Sequence, residues 1–332
     1  MLISVQYLRA FAAVMVVLTH TAHKLNVNSV NILDWFEIGH YGVDLFFIIS
    51  GFIMCLTVEK KSISFHSFMK ARFIRILPLY WVLTTVALII YLVEPSLVNS
   101  SGGNTSILTS YFLIPTESKF LIRNGWTLSY EFLFYLIFAA FIFSSRQKFY
   151  SSLCLVSLVL LGTISPIDTV IFDFITSPLL LEFFFGILSY KIIKQEIVSP
   201  WVALLLIIIS VSLLITLNAF GPINSFLDRS LYAGLPMFIF FVGFVSLEKY
   251  MPKFKFLYNV GMSSYSLYLL HPFALSGVTV VFKVFGLIEI PYLYMLCMII
   301  GSVVSSYLCY IWVELRLDKA IKNKSYVATL AR

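Results

Sequence analysis

Gly42-Val-Asp-Leu-Phe-Phe-Ile-Ile-Ser-Gly-Phe-Ile-Met-Cys-Leu-Thr-Val58 is an apolar run interrupted by one ionisable side chain, Asp44. Extended back to residue 39, it reaches the ~20 residues a helix needs to cross a bilayer. Lipid offers no partners to backbone N–H and C=O groups, so the run reads as a helix. Similar runs bounded by polar clusters recur along the chain. They give ten segments: 6–23, 39–58, 76–94, 126–144, 150–166, 173–190, 200–217, 230–248, 257–276 and 290–312. The fifth and sixth are separated by Pro166 and Asp168.

Composition agrees with this reading. Of 332 residues, 60% are hydrophobic and 12% charged, whereas a soluble domain is about half apolar and about a quarter charged. Mean hydropathy is +0.95, which leaves too little polar side chain to cover a water-soluble globule. Gly 15 and Pro 11 exclude a collagen-like chain. The expectation is an all-α, ten-span integral membrane protein, a single domain over residues 1–332 with no appended soluble domain. No fixed-period repeat is visible.

Orientation follows from the cations. With the N-terminus inside, 18 of the 23 Lys and Arg lie on inside segments and five outside, as the positive-inside rule requires. Both termini are then cytoplasmic. The same rule accounts for the net charge of +7, so nucleic acid is not needed as a partner; the lipid bilayer is. The inside loop 59–75 is basic, and the outside loop 95–125 holds a flexible polar stretch, Asn99–Ser106. Cys55, Cys154, Cys297 and Cys309 lie in apolar runs without metal-like spacing and read as small core residues. The first run lacks a cleavage site after His20 and reads as an uncleaved span.

Ionisable groups inside spans are costly and mark functional positions. His20, Asp44, Glu131 and His271 each fall about five residues from the outer end of a span, on the order of 7 Å deep. Imidazoles and carboxylates in one outward-facing layer are the materials of general acid–base catalysis. Each also has a plainer reading: His20 and His271 as interfacial histidines, Asp44 and Glu131 as first-turn acids at helix N-termini. His23, His40 and His66 carry no assigned chemistry.

Arg9 and His20 are eleven residues apart, about three helical turns, so they share a face about 16 Å long. A cytoplasmic donor with anionic phosphates and a long arm ending in a reactive group fits that span, and coenzyme A thioesters are such molecules. Arg72 and Arg75, spaced i, i+3 at the cytoplasmic entry of the third span, could hold phosphate through their planar forks. The alternative for that pair is lipid headgroups.

Taken together, these motifs resemble the membrane-bound acyltransferase-3 family. The residues are Gln6-Tyr-Leu-Arg9 with His20, Gly42–Phe52, Arg72-Phe-Ile-Arg75-Ile-Leu-Pro-Leu-Tyr-Trp81, Trp126-Thr-Leu-Ser-Tyr-Glu131 and Ser264-Tyr-Ser-Leu-Tyr-Leu-Leu-His271-Pro272. The opening looks most like the exopolysaccharide-modifying branch.

The resemblance implies O-acyl transfer, usually of acetyl, from cytoplasmic acyl-coenzyme A to a hydroxyl of an extracytoplasmic glycan or lipid-linked saccharide, in a bacterial cytoplasmic membrane. Acetyl-coenzyme A would be a co-substrate, with no tightly bound cofactor and no metal. Arg9, Arg72 and Arg75 would hold the donor, and His20 would act with Glu131 and Asp44. Trp126 and His271 would line the acceptor side. Phe132 stands where many members carry a second Glu, and the hydrolase-like domain of many relatives is not expected. The competing class is a transporter or flippase for lipid-linked glycans, whose mark would be paired broken helices in two related halves.

Overall fold

A computed structural model describes residues 2–60, 63–98, 103–165, 167–220 and 229–321. Lys61, residues 99–102 of the polar outside stretch, Pro166 and the basic tail around Ser325 lie outside the described residues. The described chain is mostly helical, with an isolated bridge between Thr105 and Lys119 in one of its loops. Its α-helices are α1 Ile3–Val27, α2 Gly42–Lys60, α3 Phe65–Val93, α4 Pro95–Val98, α5 Ile107–Phe112, α6 Gly125–Ala140 and α7 Gln147–Ile164. They continue as α8 Val170–Ile175, α9 Leu180–Lys194, α10 Pro200–Phe220, α11 Leu235–Ser246, α12 Lys255–Met262, α13 Ser264–Val284 and α14 Pro291–Cys309.

Among the described residues, eight helices are long and apolar enough to cross a membrane. The expected fourth and eighth segments are helices too, but shorter: α6 has 16 residues, and the eighth covers Ser230–Ser246. Both fall below the ~20 residues that match a ~30 Å hydrocarbon core.

Other boundaries differ for local reasons. The third helix starts at Phe65, so Lys70, Arg72 and Arg75 lie on α3 and not in a long basic loop. Phe68, Met69 and Ile76 are buried there, giving this basic stretch an apolar stripe to pack. The expected segment 257–276 is two helices, α12 and α13. Ser263 ends the first, its hydroxyl returning to the carbonyls of Asn259 (3.1 Å) and Val260 (3.3 Å).

The chain divides into two compact units, Met1–Ser64 with Tyr130–Ser264, and Phe65–Ser129 with Tyr265–Arg332. In the first, α2 packs on α9, α1 on α12 and α2, and α10 on α11. The α2–α9 crossing is backbone against backbone: a Cβ on Gly186 would fall 2.3 Å from the Ile48 carbonyl oxygen, and one on Gly51 2.4 Å from that of Phe183. Only glycine permits such approach. Helix α1 begins under a distant acid, the Glu248 carboxylate accepting from Ile3 N (2.8 Å) and Ser4 N (2.7 Å). These are two of the donors a helix start leaves unpaired. Trp201, Leu205 and Ile208 on α10 stay exposed, as expected of a surface solvated by lipid.

In the second unit, the 29-residue α3 carries Pro78, and the segment after it is tied down. Tyr80 Oη donates to the Ser110 carbonyl (2.6 Å), Leu121 N to Ser110 Oγ (2.8 Å), and Ser129 Oγ to the carbonyl of Leu113 (2.7 Å). Leu113 holds a left-handed φ of 56° that a leucine rarely adopts. The expected outside loop is therefore held to the helices at Ser110, Leu113 and Leu121, while Leu108 and Phe112 stay exposed.

Candidate active site

In the first unit, Arg9 and His20 are both half-buried on α1, an uninterrupted helix that preserves their shared face. The short turn Ile38–Tyr41 lies against α1 beside His20. A Cβ on Gly39 would fall 1.9 Å from Thr19 Oγ1, and one on Gly42 2.5 Å from the Ala12 carbonyl oxygen. These contacts set the Ile38–Tyr41 turn against Thr19, the neighbour of His20, and the start of α2 against Ala12–Val16 of α1, with Asp44 in the first turn of α2.

Asp44 is fully buried and takes a two-point ion pair from Arg229, with Nε to Oδ1 and Nη2 to Oδ2 both 3.1 Å. The planar guanidinium suits this fork geometry. Glu182, in the first turn of α9, is also fully buried and interacts electrostatically with both Asp44 and Arg229. Gly234 makes room for it, since a Cβ there would lie 3.1 Å from Glu182 Cγ. Two buried acids thus share one partly exposed arginine. The geometry ties Asp44 to Arg229.

Glu131 is half-buried on α6 and accepts from Tyr135 Oη at 3.0 Å. The same hydroxyl lies 3.2 Å from Ser50 Oγ on α2. A hydrogen-bonded line from Glu131 through Tyr135 to Ser50 results, joining two of the recognised motifs. It can hold the Glu131 carboxylate in place or pass a proton along three oxygens.

In the second unit, Arg75 pairs with Glu314, which also accepts from Ser266. The Arg75 guanidinium lies 5.8 Å over the Tyr265 ring, and Tyr265 Oη donates to the Ile76 carbonyl at 2.7 Å. Arg72 sits 5.7 Å over the Phe68 ring, with its buried Nε making no hydrogen bond. Stacked cations with spare donors can take an anion, and Arg72 has more capacity left than Arg75.

Trp126 opens α6, whose start is anchored to the Ser264–Pro272 motif. Asn124 Nδ2 donates to the Tyr268 carbonyl (2.9 Å), and the Thr127 and Tyr268 hydroxyls are 2.9 Å apart. Tyr268 also lies 6.3 Å from the His271 ring. His271 is fully buried, with Nδ1 3.0 Å from the Leu267 carbonyl. One tyrosine therefore links the start of α6, where Trp126 lies half-buried, to the buried His271.

The expected residues divide between the units: Arg9, His20, Asp44 and Glu131 in the first; Arg72, Arg75, Trp126 and His271 in the second. Sequence reasoning missed Glu182, Arg229 and Glu314. Glu182 was visible as an acid inside the sixth apolar run. Arg229 counted only as a loop cation, and Glu314 lay two residues past the expected end of the last span.

The acyltransferase-3 family model, described as an acyltransferase domain, matches residues 2–311. The chain belongs to the acyltransferase-3 family. Among relatives, it is 32% identical over 259 residues to the exopolysaccharide production protein ExoZ of Rhizobium meliloti, covering 73% of this chain and 78% of that protein. It is 31% identical over 142 residues to the acyltransferase MdmB of Streptomyces mycarofaciens, covering 40% of this chain and 36% of that protein. No solved structure matches. This acyltransferase thus carries Arg9, His20, Asp44, Glu131, Arg72, Arg75 and His271 on helices, with Asp44, Glu131 and Arg75 held by named partners.

Proposed function

We propose that this acyltransferase moves an acyl group, acetyl in the first instance, from cytoplasmic acyl-coenzyme A to a hydroxyl of an extracytoplasmic glycan. The observation that carries the reading is Arg9 and His20 on one face of the continuous helix α1, about 16 Å apart. The exopolysaccharide production named for one relative supports a glycan acceptor. Ten spans are part of the proposal, α6 and the Ser230–Ser246 helix being the two short ones, with both termini cytoplasmic and the protein in the bacterial cytoplasmic membrane.

In this mechanism Arg9, Arg72 and Arg75 take the phosphates of the donor. His20 accepts the proton of the acceptor hydroxyl as its oxygen attacks the thioester carbonyl. The carbon–sulfur bond breaks, and the coenzyme A thiolate leaves and takes up a proton. Glu131, fixed by Tyr135, offsets the charge His20 gains, and Asp44 with Arg229 holds the start of α2 beside it. Trp126 and His271 serve the acceptor side.

The test separates the two ends of α1. A general base contributes about 10²–10⁴-fold in rate, so His20→Ala should abolish acetylation of surface polysaccharide, read by mass spectrometry, with coenzyme A binding retained. Arg9→Ala should chiefly raise the KM for acyl-coenzyme A, by roughly 10- to 150-fold for one lost charge-assisted bond. Wild-type acetylation in His20→Ala, or indistinguishable kinetics in the two variants, would overturn the assignment.

A further inference from the structure

A groove of about 1400 Å³ lies within the first unit, walled mainly by α7 and α9. Four of its lining residues are cations: Arg146 and Lys148 at the start of α7, Lys191 and Lys194 at the end of α9. Among the described residues, none of those lining it is acidic. The cations are placed by specific contacts. Lys148 Nζ lies 4.8 Å over the Tyr190 ring and Lys194 Nζ 5.8 Å over the same ring, while Lys194 also pairs with Glu59. Away from this rim, Leu153 and Val156 on α7 and Phe184 and Leu188 on α9 form an apolar wall. The open face of α7 is lipid-compatible, with Phe149, Leu153 and Leu160 exposed.

A charge bias between the two sides of a membrane explains cations at helix ends. It does not explain why cations from two helices converge on one concavity that continues as an apolar slot. That is the shape of an amphiphile. A nucleotide lying there would set its ribose and base polar groups against Leu153, Val156 and Phe184 without partners. We infer that the groove binds one anionic phospholipid, its phosphate held by Arg146, Lys148 and Lys191 and an acyl chain laid along the α7–α9 wall. None of these residues belongs to the proposed donor or catalytic set, so the site stands apart from the acyl-transfer reading.

Full-length protein in detergent would be titrated with fluorescent phosphatidylglycerol, with phosphatidylcholine and with coenzyme A. Each cation near a lipid surface contributes about fivefold in affinity. The triple variant R146Q/K148Q/K191Q should therefore bind phosphatidylglycerol about a hundredfold more weakly, while phosphatidylcholine and coenzyme A binding stay unchanged. Leu153→Trp, at an exposed position, fills the slot with every cation in place and should also lose phosphatidylglycerol. It decides the matter should the triple variant fail to fold. Undiminished phosphatidylglycerol binding in Leu153→Trp would overturn the inference. So would undiminished binding in a folded triple variant, or loss of coenzyme A binding in its place.

Discussion

Arg75→Ala removes the cation that faces Glu314. The Glu314 side chain is 4% exposed and that of Arg75 38%; without the arginine, a buried carboxylate keeps the Ser266 hydroxyl as its hydrogen-bond donor. Breaking a buried pair from one side costs about 3–5 kcal/mol because a charge is left uncompensated. More than a third of Arg75 meets the surroundings, so the low end applies, about 3 kcal/mol, or roughly 150-fold in the folding equilibrium. Glu314→Gln leaves the more open partner alone and should cost about 1 kcal/mol. The double variant Arg75→Ala/Glu314→Gln buries no charge, and its amide can still accept from Ser266, so it should be about 2 kcal/mol more stable than Arg75→Ala. Equilibrium unfolding in mixed micelles measures all three and closes the double-mutant cycle. A double variant no more stable than Arg75→Ala would show that Glu314 does not depend on Arg75. It would equally leave Arg75 free to serve the donor alone.

Two further outcomes follow from contacts in the first unit. Gly186→Val places side-chain atoms where the Ile48 carbonyl oxygen already stands 2.3 Å from a Cβ. It should destabilise the fold by about 1–3 kcal/mol or more, seen as a lowered melting temperature in detergent; a wild-type melt would refute the crossing. Tyr135→Phe deletes the hydroxyl between Glu131 and Ser50. It should lower kcat for polysaccharide acetylation several-fold with KM for acyl-coenzyme A unchanged, whereas an unchanged kcat would show that Glu131 needs no positioning from this line.

Against an apolar background, ionisable residues stand out. That is why Arg9, His20, Asp44 and Glu131 stand out as candidates once the apolar runs are marked. What the sequence does not display is pairing. Nothing in Asp44 announces Arg229, which is 185 residues away, and nothing in Gly51 announces Gly186. Helix ends were the other weak point. The Phe65–Arg75 stretch is basic enough to pass for a loop until its buried Phe68 and Met69 are seen. Glu314 escaped notice because the last helical stretch runs on to Ile321, beyond where the apolar run fades. Glu182 is the instructive miss, since the criterion that selected Asp44 applies to it equally.

The Glu248 carboxylate beneath the start of α1 sets an order on biosynthesis. Ile3 and Ser4 are made well ahead of their partner, since the acid that completes their hydrogen bonds comes 245 residues after Ile3. At about 5–20 residues per second, that is about 12–50 s of translation. The carbonyl of Gln6 waits longer still for Gly261, the residue whose missing side chain lets α12 close upon it. A helix made before most of the bundle is therefore among the last to be finished. Until then its opening turn must be kept by water, lipid headgroups or the insertion machinery, and a ribosome stalled before residue 248 would leave the Arg9–His20 helix packed on α2 but uncapped at its start.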